Sequence, residues 1–471
     1  MELFDNLILG FSVAITPMNI VYLLAGSMIG MIVGIIPGLG PAAGLSILLP
    51  LTFGMDPIGA IMMLAAIYYG AMYGGTITSI LLNTPGESAV VASTFDGYPL
   101  AQQGRAGPAL VMQAAASFVG GTVGVILITV LAAVFANVTR SFGPPEFFML
   151  VMMGMVTLVV LIGEQWRYGA ISALVGFALG TVGVDLETGL QRFTFGSAEL
   201  IGGIEFIPIA IGLFGLGELY YAFYQGLHRA GTGGIIQYQK ENEFWPSAKD
   251  WIESRMAFVR GSIMGFCIGV VPGAGATVAS LMSYSIEKSS SKTPEKFGKG
   301  AMPGLVAPEA ANNASAAGTL IPLLTLGLPT SATAAMMLAG FQQYGLQPGP
   351  LLFTNSPALV WGLVASLFIA NLMLVVLNLP FVGVWVRLLM IPRPWLYAGI
   401  LTFATLGIIG SQGSVFALVL LLGFGLIGFV MRRFGYPLAP VLVGAILGPL
   451  AEEQLRRGLM INRGDVTFLL T

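Results

Sequence analysis

The sequence predicts an all-α polytopic membrane protein, and three observations support this fold class. First, 56% of the 471 residues are hydrophobic and only 9% are charged, whereas soluble domains carry about 25% charged residues. Second, the apolar residues form long continuous stretches, unlike the short alternating segments of a membrane β-barrel. Third, glycine and proline interrupt these stretches repeatedly, with 64 and 27 copies. At about 20 residues per crossing, the stretches predict about 10–14 transmembrane or re-entrant helices.

The apolar stretches follow one another along the chain, separated by short polar connections. Those much longer than one crossing of about 20 residues must contain two elements. The long hydrophilic stretch 229–255 is predicted to be a polar cytoplasmic linker, with an amphipathic interfacial segment around Trp245 and Trp251. It separates a first repeat, residues 1–228, from a second repeat, residues 256–471. The apolar stretches lie at about residues 7–36, 41–54, 57–82, 107–138, 145–163, 168–184, 200–227, 256–271, 303–328, 330–341, 356–391, 395–431 and 436–451.

Composition argues against several classes of function. Cys267 is the only cysteine and His228 the only histidine, so no disulfide can form within the chain and a Ser–His triad would need His228. The net charge of −2 does not indicate nucleic-acid binding, and the sequence has no P-loop for ATP. The acidic N-terminal segment does not resemble a cleavable signal peptide. We therefore expect no enzyme activity and no cofactor.

Matched motifs in the two halves predict an internal duplication. The motif GIIPGLG at residues 34–40 matches GVVPGAG at 269–275, an offset of 235 residues (269 − 34). The motif NTPGESA at 83–89 pairs with GLPTSA at 327–332, an offset of 244 on the prolines (329 − 85). Further matches follow in the same order, among them Gln102-Gln103 with Gln342-Gln343. Repeats that carry broken helices in equivalent places are typical of secondary transporters.

The charge distribution favours repeats of inverted topology. The first Pro-Gly motif is flanked by acidic residues, whereas the second lies among basic ones. Because cytoplasmic loops are enriched in Lys and Arg, the region 229–299 is predicted to be cytoplasmic. One observation disagrees, since Arg432-Arg433 and Arg456-Arg457 flank a single short apolar stretch and cannot both be cytoplasmic if it crosses. The flanking residues are Glu2, Asp5 and Asp56 for the first motif, and Arg255, Arg260, Lys288, Lys292, Lys296 and Lys299 for the second.

The paired Pro-Gly motifs predict helices that break within the membrane. Proline ends a helix and glycine allows a tight or left-handed backbone. Each break therefore frees N–H groups that can bind a carboxylate and carbonyls that can bind Na⁺. The alternatives are kinks, surface turns and, for the hydroxyl residues, plain helix caps. The predicted substrate-binding residues are Pro37, Gly38, Gly40, Pro85, Gly86, Ser88, Pro272, Gly273, Gly275, Pro329, Thr330 and Ser331.

Polar side chains near the breaks form the predicted ion-binding set. One amide and one hydroxyl offer neutral oxygens of the kind that Na⁺ needs, and two glutamates are ionisable groups at membrane depth. Two further amides share a helix face with the second glutamate, although packing between helices explains this polar stripe equally well. Asp96 is expected in a surface loop. The predicted ion-binding residues are Asn83, Thr84, Glu87, Glu309, Asn312 and Asn313.

No Lys or Arg lies within the break segments. A bound anion is therefore expected to be held by backbone N–H groups, hydroxyls and amides. Co-bound cations would balance its charge, which favours Na⁺ as the coupling ion.

Four long blocks of the sequence resemble a known family. They are GIIPGLGPAAGLSILLPLTFGMDP, YYGAMYGGTITSILLNTPGE, FDGYPLAQQGRAGPAL and GLVAPEAANNASAAGTLIPLLTLGLP. These blocks are similar to the large membrane subunit of the tripartite tricarboxylate transporters, the TctA type. The resemblance covers essentially the whole chain and includes both Pro-Gly motifs.

The resemblance implies a multi-pass secondary transporter of the bacterial inner membrane. In that family a periplasmic solute-binding protein delivers a carboxylate anion to a complex of the large subunit with a small four-span membrane subunit. Uptake is a symport with Na⁺ or H⁺. The binding residues that the resemblance implies are the break motifs Pro37–Pro41, Asn83–Ser88, Pro272–Gly275 and Pro329–Ser331.

Other functions share some of these features. An anion channel or an exporter would also use broken helices, and only ion-coupled accumulation against a gradient separates them from an importer. A membrane-embedded hydrolase is the alternative from another class. It would need a nucleophile and a base, for which the sequence offers only acid pairs such as Asp56 and Asp96.

Overall fold

A computed structural model describes residues 2–36, 39–139, 141–160, 163–185, 188–228, 244–388 and 393–469. Pro37 and Gly38 of the predicted site, and residues 229–243 of the predicted linker, lie outside these ranges. In the first half the elements are α1 (Glu2–Ala14), α2 (Pro17–Ile35), α3 (Gly40–Leu48), α4 (Pro57–Leu82), α5 (Val91–Gln102), α6 (Ala106–Thr139), α7 (Pro144–Val160), α8 (Trp166–Gly180), β1 (Gly183–Val184), β2 (Gln191–Arg192), α9 (Phe206–Ala210), a π-helical segment (Ile211–Leu216) and α10 (Gly217–His228).

The second half is also helical in the part of the chain that the structure describes. Its first helix begins inside the predicted linker and continues without a break into the second predicted repeat. The elements are α11 (Ala248–Val270), α12 (Gly275–Ser290), α13 (Met302–Leu326), α14 (Ala332–Gln343), α15 (Leu352–Asn355), α16 (Pro357–Leu388), α17 (Arg393–Gln412), α18 (Val415–Arg433) and α19 (Ala439–Ile461).

The described residues form an all-α polytopic membrane protein, as the sequence predicts. Within the described ranges, six helices are long and apolar enough to cross a membrane. α13 is not among them, because its sequence carries several polar residues, including Glu309, Asn312 and Asn313, that lower its mean hydropathy. The six candidate spans are Pro17–Ile35, Pro57–Leu82, Ala106–Val138, Phe206–Gln225, Pro357–Phe381 and Val415–Arg433.

Helix starts follow local sequence signals. Prolines occupy the first turn of α2, α3, α4, α13 and α19, where a missing N–H costs nothing. The Asp56 side chain accepts a hydrogen bond from the Gly59 N–H at the start of α4. Ser247 and Asp250 form a reciprocal capping box at the start of α11, which stabilises a helix end by satisfying its free N–H groups.

Two closely packed helix pairs form the centre of the molecule. α2 packs on α4 and α11 packs on α13 through glycines spaced four residues apart. A Cβ atom added to any of them would lie under 3.0 Å from a carbonyl oxygen of the partner helix, which is the close approach that small residues permit in membranes. The pairs are Gly26, Gly30 and Gly34 with Met63, Ile67 and Ala71, and Gly261, Gly265 and Gly269 with Ala307, Ala311 and Ser315.

The two pairs are related by the offsets found in the sequence. The glycines are separated by 235 residues (261 − 26) and their partners by 244 residues (307 − 63). α4 and α13 pack against each other in antiparallel directions. The Tyr68 and Thr319 hydroxyls are 3.5 Å apart, whereas Thr76 donates to Glu309 at 2.6 Å, so numbers rise along one helix as they fall along the other.

The end of α5 and the end of α14 each contact the other half of the chain, at opposite ends of α13. Gln103 donates to the Lys299 carbonyl at 2.8 Å, near the start of α13. Gln343, which the sequence pairs with Gln103, donates to Thr52 at 3.4 Å, next to the start of α4. Because α4 and α13 are antiparallel, the second contact lies at the other end of the central pair.

Asp96 is not in a surface loop, contrary to expectation. Its carboxylate is fully buried on α5 and accepts hydrogen bonds from the Tyr284 hydroxyl at 3.0 Å and from the N–H groups of Gly298, Gly300 and Ala301 at 2.7–2.9 Å. These three N–H groups precede α13, where a negative charge is favourable. Asp96 on α5, in the first half, therefore stabilises the start of α13, in the second half.

The second arginine pair near the C-terminus is neutralised locally. Arg456 pairs with Asp185 at 3.0 Å, and Arg457 pairs with Glu453 at 2.6 Å. α19 begins beside Arg432 and carries Arg456 about 25 Å further along, at 1.5 Å per residue. The two arginine pairs therefore lie at different depths of the molecule, as the single apolar stretch between them requires.

The position of the basic loop can be tested by labelling. In a Cys267→Ser background, we expect a cysteine at Ser290 to be protected from an impermeant maleimide in intact cells. The basic loop precedes the start of α13, whereas the loop before Asn355 contacts the other end of that helix: the Gly349 N–H donates to the Leu324 carbonyl. A cysteine at Asn355 should therefore react from outside. Both positions are exposed. Labelling of Ser290→Cys from outside would contradict the predicted orientation.

Candidate functional site

The first pair of breaks lies midway along the central helices. Gly34 packs on Ala71, near the middle of α4, and α2 ends one residue later. Gly269 packs on Ser315, the middle of α13, and α11 also ends one residue later. Two helices therefore stop halfway through the bundle, where their end groups need partners within the protein.

New helices begin just beyond these breaks with matched backbone geometry. α3 starts at Gly40 with φ +60°, and α12 starts at Gly275 with φ +57°. Gly273 also has a positive φ of +83°. These left-handed conformations favour glycine because a Cβ atom would be strained there. One helix ends and another begins at each motif, at 35 and 40 in the first half and at 270 and 275 in the second, as expected for motifs that break helices.

In each half, the second break segment packs against the first one. In the first half, the Gly86 N–H donates to the Gly75 carbonyl at 3.3 Å, and Gly86 packs directly on the Gly34 carbonyl. In the second half, the Thr330 hydroxyl donates to the Gly269 carbonyl at 3.4 Å. Gly86 and Thr330 differ by the same 244 residues (330 − 86). In each half, the second break segment therefore contacts a backbone carbonyl in the last turn of the helix that ends at the first break.

A cavity of about 590 Å³ lies where the breaks of both halves meet. This volume is in the range of small-molecule sites. The hydroxyls of Ser88 and Thr277, one from each half, hydrogen-bond across it at 2.9 Å. The predicted substrate-binding residues that line the cavity are Gly40, Pro85, Gly86, Ser88, Gly273, Gly275 and Ser331.

The remaining predicted substrate residues lie behind the cavity wall or outside the described ranges. Pro272, Pro329 and Thr330 do not line it, although the Thr330 carbonyl accepts a hydrogen bond from the Gly273 N–H at 2.9 Å. This bond joins the two break segments of the second half. Nothing is described for Pro37 and Gly38.

Four helices start at this cavity. The first residues of α3, α12, α14 and α19 all belong to its lining. Helix starts carry free N–H groups and a partial positive charge, so four of them make the cavity favourable for an anion. Ser331 caps α14, accepting a hydrogen bond from the Ala334 N–H at 3.1 Å, and also lines the cavity. The helix-cap alternative and the binding prediction are thus compatible.

The two halves differ at one equivalent position. In the first half a Cβ atom on Gly40 would lie 3.3 Å from Glu87 Cβ, and in the second half a Cβ atom on Gly275 would lie 3.6 Å from Ser331 Cβ. Glu87 and Ser331 are separated by 244 residues (331 − 87). Glu87 lines the cavity, and its buried Oε1 atom has no hydrogen-bond partner among the described residues.

Arg432 also lines the cavity, although the sequence motifs did not predict it as a binding residue. It forms an ion pair with Glu218 on α10 and lies 5.8 Å from the centre of the Tyr221 ring. The expectation that only neutral groups would hold an anion is therefore incomplete. The sequence signal was a basic pair at the end of an apolar span, a position where such residues are common at the membrane surface, so it did not by itself indicate a binding role.

Glu309 lies in a separate buried cluster away from the cavity lining. Its carboxylate is fully buried and accepts five side-chain hydrogen bonds. The donors come from α4, α5, α6 and α13, so the cluster joins both halves. They are Thr76 at 2.6 Å, Ser93 at 3.3 Å, Gln113 at 3.3 Å, Ser117 at 2.6 Å and Asn313 at 3.2 Å.

The predicted ion-binding set therefore occupies three places. Asn83 ends α4 with φ +53° and is exposed, as is Thr84, whose hydroxyl donates to the Leu82 carbonyl at 3.2 Å. Glu87 is at the cavity. Asn312 is fully buried one turn along α13 from Glu309, and both its polar side-chain atoms lack a partner among the described residues.

The fold and the cavity define a class of protein: an integral membrane protein with an internal anion-suited site between broken helices, a geometry typical of secondary transporters. A sequence model described as the tripartite tricarboxylate transporter TctA family matches residues 20–443. The chain belongs to this family of transporter large subunits, as its sequence blocks predict.

Two relatives from Agrobacterium vitis are similar to this chain. One is described as an uncharacterized 52.8 kDa protein in the TAR-I ttuC' 3' region; it is 42% identical over all 471 residues and 93% of its own length is covered. The other, an uncharacterized protein in the TAR-II ttuC' 3' region, is 46% identical over 207 residues, which are 44% of this chain and 86% of that protein. No solved structure matches the chain.

Proposed function

We propose that the chain is the large transmembrane subunit of a binding-protein-dependent transporter that imports a tricarboxylate-like anion across the bacterial inner membrane. Its partners would be a small four-span membrane subunit and a periplasmic solute-binding protein, and Na⁺ or H⁺ would drive uptake. The main support is the cavity at mid-depth where four helices start. Family membership supports the same function.

A carboxylate suits this cavity for two physical reasons. The free N–H groups of the helix starts offer hydrogen bonds without the cost of burying several basic side chains. Arg432, whose charge is balanced by Glu218, lies at the lining, and a guanidinium has several N–H donors that can bind a carboxylate. Several carboxylates would fit such a site, so the solute-binding protein would determine which one arrives.

Inverted repeats would give this site access to each side of the membrane in turn. The antiparallel packing of α4 and α13 and the constant offsets of 235 and 244 residues support this part of the proposal. Motion of one half against the other would then open the cavity alternately. A channel would share the cavity, and accumulation of the anion against its gradient separates a transporter from a channel.

Glu87 is the better candidate for binding the coupling cation. Two like charges about 4 Å apart repel by about 4 kcal/mol at an effective dielectric constant of 20, so a carboxylate substrate beside Glu87 requires a neutralising cation. The Oε1 atom of Glu87 is available for one. Glu309, in contrast, already accepts five hydrogen bonds, which a cation would have to displace.

Proteoliposomes that carry the assembled three-component system test this proposal, with radiolabelled citrate as the tricarboxylate probe. We expect accumulation under an inward Na⁺ gradient, loss of accumulation without external Na⁺, and loss of uptake without the binding protein. Glu87→Gln should lose accumulation but keep citrate exchange, because a neutral amide imitates the cation-occupied state. The exposed Glu295→Gln serves as the control.

Three outcomes would contradict parts of the proposal. Accumulation driven by a proton gradient alone would reject Na⁺ coupling. Normal Na⁺-dependent accumulation by Glu87→Gln would place the cation elsewhere. Citrate movement that only ever follows its own gradient would indicate a channel.

A further inference from the structure

A second cavity, of about 700 Å³, lies between the first turns of α11, the end of α12 and the start of α13. It is separate from the cavity at the breaks and shares no lining residue with it. Three acidic residues line it, Asp250, Glu253 and Glu287. The six basic residues of the lining are Arg105, Lys249, Arg255, Arg260, Lys292 and Lys296.

Each of the three acids is matched by one of these basic side chains. Arg105 pairs with Asp250 at 2.7 Å, and Arg260 pairs with Glu287 at 3.1 Å. Burial acts to raise the pKa of Asp250, but hydrogen bonds from Arg105 and Ser247 outweigh it and lower that pKa. Asp250 is therefore charged and neutralises Arg105.

Three positive charges remain without an acidic partner. Lys249 and Glu253 form the third pair, at 3.8 Å. Arg255, Lys292 and Lys296 form no ion pair within the described part of the chain, and all three are exposed at the cavity. The cavity thus has an excess of three positive charges (6 − 3), which suits an anionic group.

The cavity lies at the depth of lipid headgroups. α11 ends at mid-depth, and the ten residues from Val270 back to Arg260 span about 15 Å at 1.5 Å per residue. Half the hydrocarbon thickness is also about 15 Å. An independent count along α13 agrees, because Met302 lies thirteen residues, about 20 Å, from Ser315 at the middle of that helix. The lining residues therefore meet the polar headgroup region.

An apolar stripe on α11 continues from the cavity towards the membrane centre. Its members are between 41% and 62% exposed, and two of them, Ile252 and Met256, also line the cavity. Exposed Trp together with aliphatic side chains is typical of helices at a membrane interface. The stripe consists of Trp251, Ile252, Met256, Val259 and Ile263.

We propose that this second cavity binds the headgroup of an anionic phospholipid, whose acyl chains lie along the stripe on α11. Arg255, Lys292 and Lys296 would hold the phosphate. The proposal depends on two independent features, an unbalanced basic cavity and an adjoining apolar stripe, which one amphipathic ligand would satisfy together. It does not depend on the identity of the transported anion.

Thermal unfolding of the full chain in a neutral detergent tests the proposal. We expect dioctanoyl phosphatidylglycerol to raise Tm, whereas dioctanoyl phosphatidylcholine and inorganic phosphate should not. Lys292→Ala/Lys296→Ala should weaken the phosphatidylglycerol effect at least ~10-fold in half-saturating concentration. The matched control is Lys288→Ala/Lys299→Ala, which removes the same charge from exposed positions outside the cavity lining.

Quenching measures the acyl-chain contact directly. Phosphatidylglycerol brominated on its chains should quench a tryptophan signal that Trp251→Phe removes. Stabilisation by inorganic phosphate alone would indicate a soluble anion and overturn the lipid assignment. Equal losses in the two double variants would indicate diffuse surface charge instead of a site. If the Lys292→Ala/Lys296→Ala protein has a lower Tm without lipid, Arg255→Ala provides the decisive comparison, and unchanged lipid binding by that variant would also overturn the proposal.

Discussion

Gly40→Val should reduce citrate uptake by the assembled system at least ~10-fold, equivalent to about 1.4 kcal/mol in binding or barrier. Gly40 has φ +60°, where a β-branched residue is a strong outlier and strained backbone costs about 1–3 kcal/mol. The new side chain would also start 3.3 Å from Glu87 Cβ. The first N–H groups of α3 would then shift away from the anion. Uptake per amount of inserted protein is the measurement.

Gly275→Val tests the equivalent position of the second half. Gly275 has φ +57°, and a Cβ atom added there would lie 3.6 Å from Ser331 Cβ. We therefore expect a similar loss of citrate uptake. Gly54→Val is the matched control, since Gly54 has φ +81° but nothing within 4 Å of an added Cβ atom. Transport by all three variants at equal rates would show that the breaks do not bind substrate. Failure of one break variant alone would assign binding to one half.

Gly273→Val is less informative than these variants. A Cβ atom on Gly273 would lie under 3.0 Å from the Leu158 backbone on α7. The variant would therefore disturb packing before it affected a bound anion, and a loss of transport would have two explanations.

Glu309→Ala should lower the free energy of unfolding by at least about 3 kcal/mol, because the buried hydroxyls of Thr76, Ser93 and Ser117 lose their acceptor and each unsatisfied group costs about 1–3 kcal/mol. We expect a clearly lower Tm in detergent and a reduced yield in membranes. Glu453→Ala is the control, since it breaks an exposed pair with Arg457 at 2.6 Å, and exposed pairs contribute about 0–1 kcal/mol.

The opposite result for Glu309 would be equally instructive. If Glu309→Ala melts at the same temperature as Glu453→Ala, the donors around it must be satisfied by water. Such a hydrated cluster would make Glu309 and the unpartnered Asn312 the better cation site, in place of Glu87. Na⁺-dependent shifts in Tm would then be expected to disappear in Glu309→Ala and persist in Glu87→Gln.

The sequence predicted where the helices break because its signals are local. Proline and glycine break a helix wherever they occur, so the positions of the breaks followed from the motifs at 34–40 and 269–275. Gly40 and Gly275 have nearly the same positive φ. The sequence motifs also gave the offset that relates Glu87 to Ser331. They did not show that Glu87 lies against Gly40 as Ser331 lies against Gly275.

The sequence could not predict contacts between distant segments. Arg432 reaches the cavity because α18 packs beside α10, more than 200 residues earlier in the chain. The five donors around Glu309 come from four helices. Asp96, within FDGYP, was predicted in a surface loop, and its partners, such as Gly298, lie some 200 residues away along the chain. Asn83 and Thr84 were grouped with Glu87 by sequence distance, but the end of α4 exposes them.

The sequence by itself therefore determined the membrane class and the places where helices break, and it predicted a correspondence between the two halves. Each of these depends on composition or on backbone preferences within a few residues. Only the tertiary structure decided which breaks share one cavity, that Glu87 keeps a carboxylate oxygen without a hydrogen-bond partner among the described residues, and that Arg432 lines the cavity. Those outcomes depend on how antiparallel helices such as α4 and α13 pack, and burial in a low-dielectric interior makes each buried polar group depend on its neighbours in space.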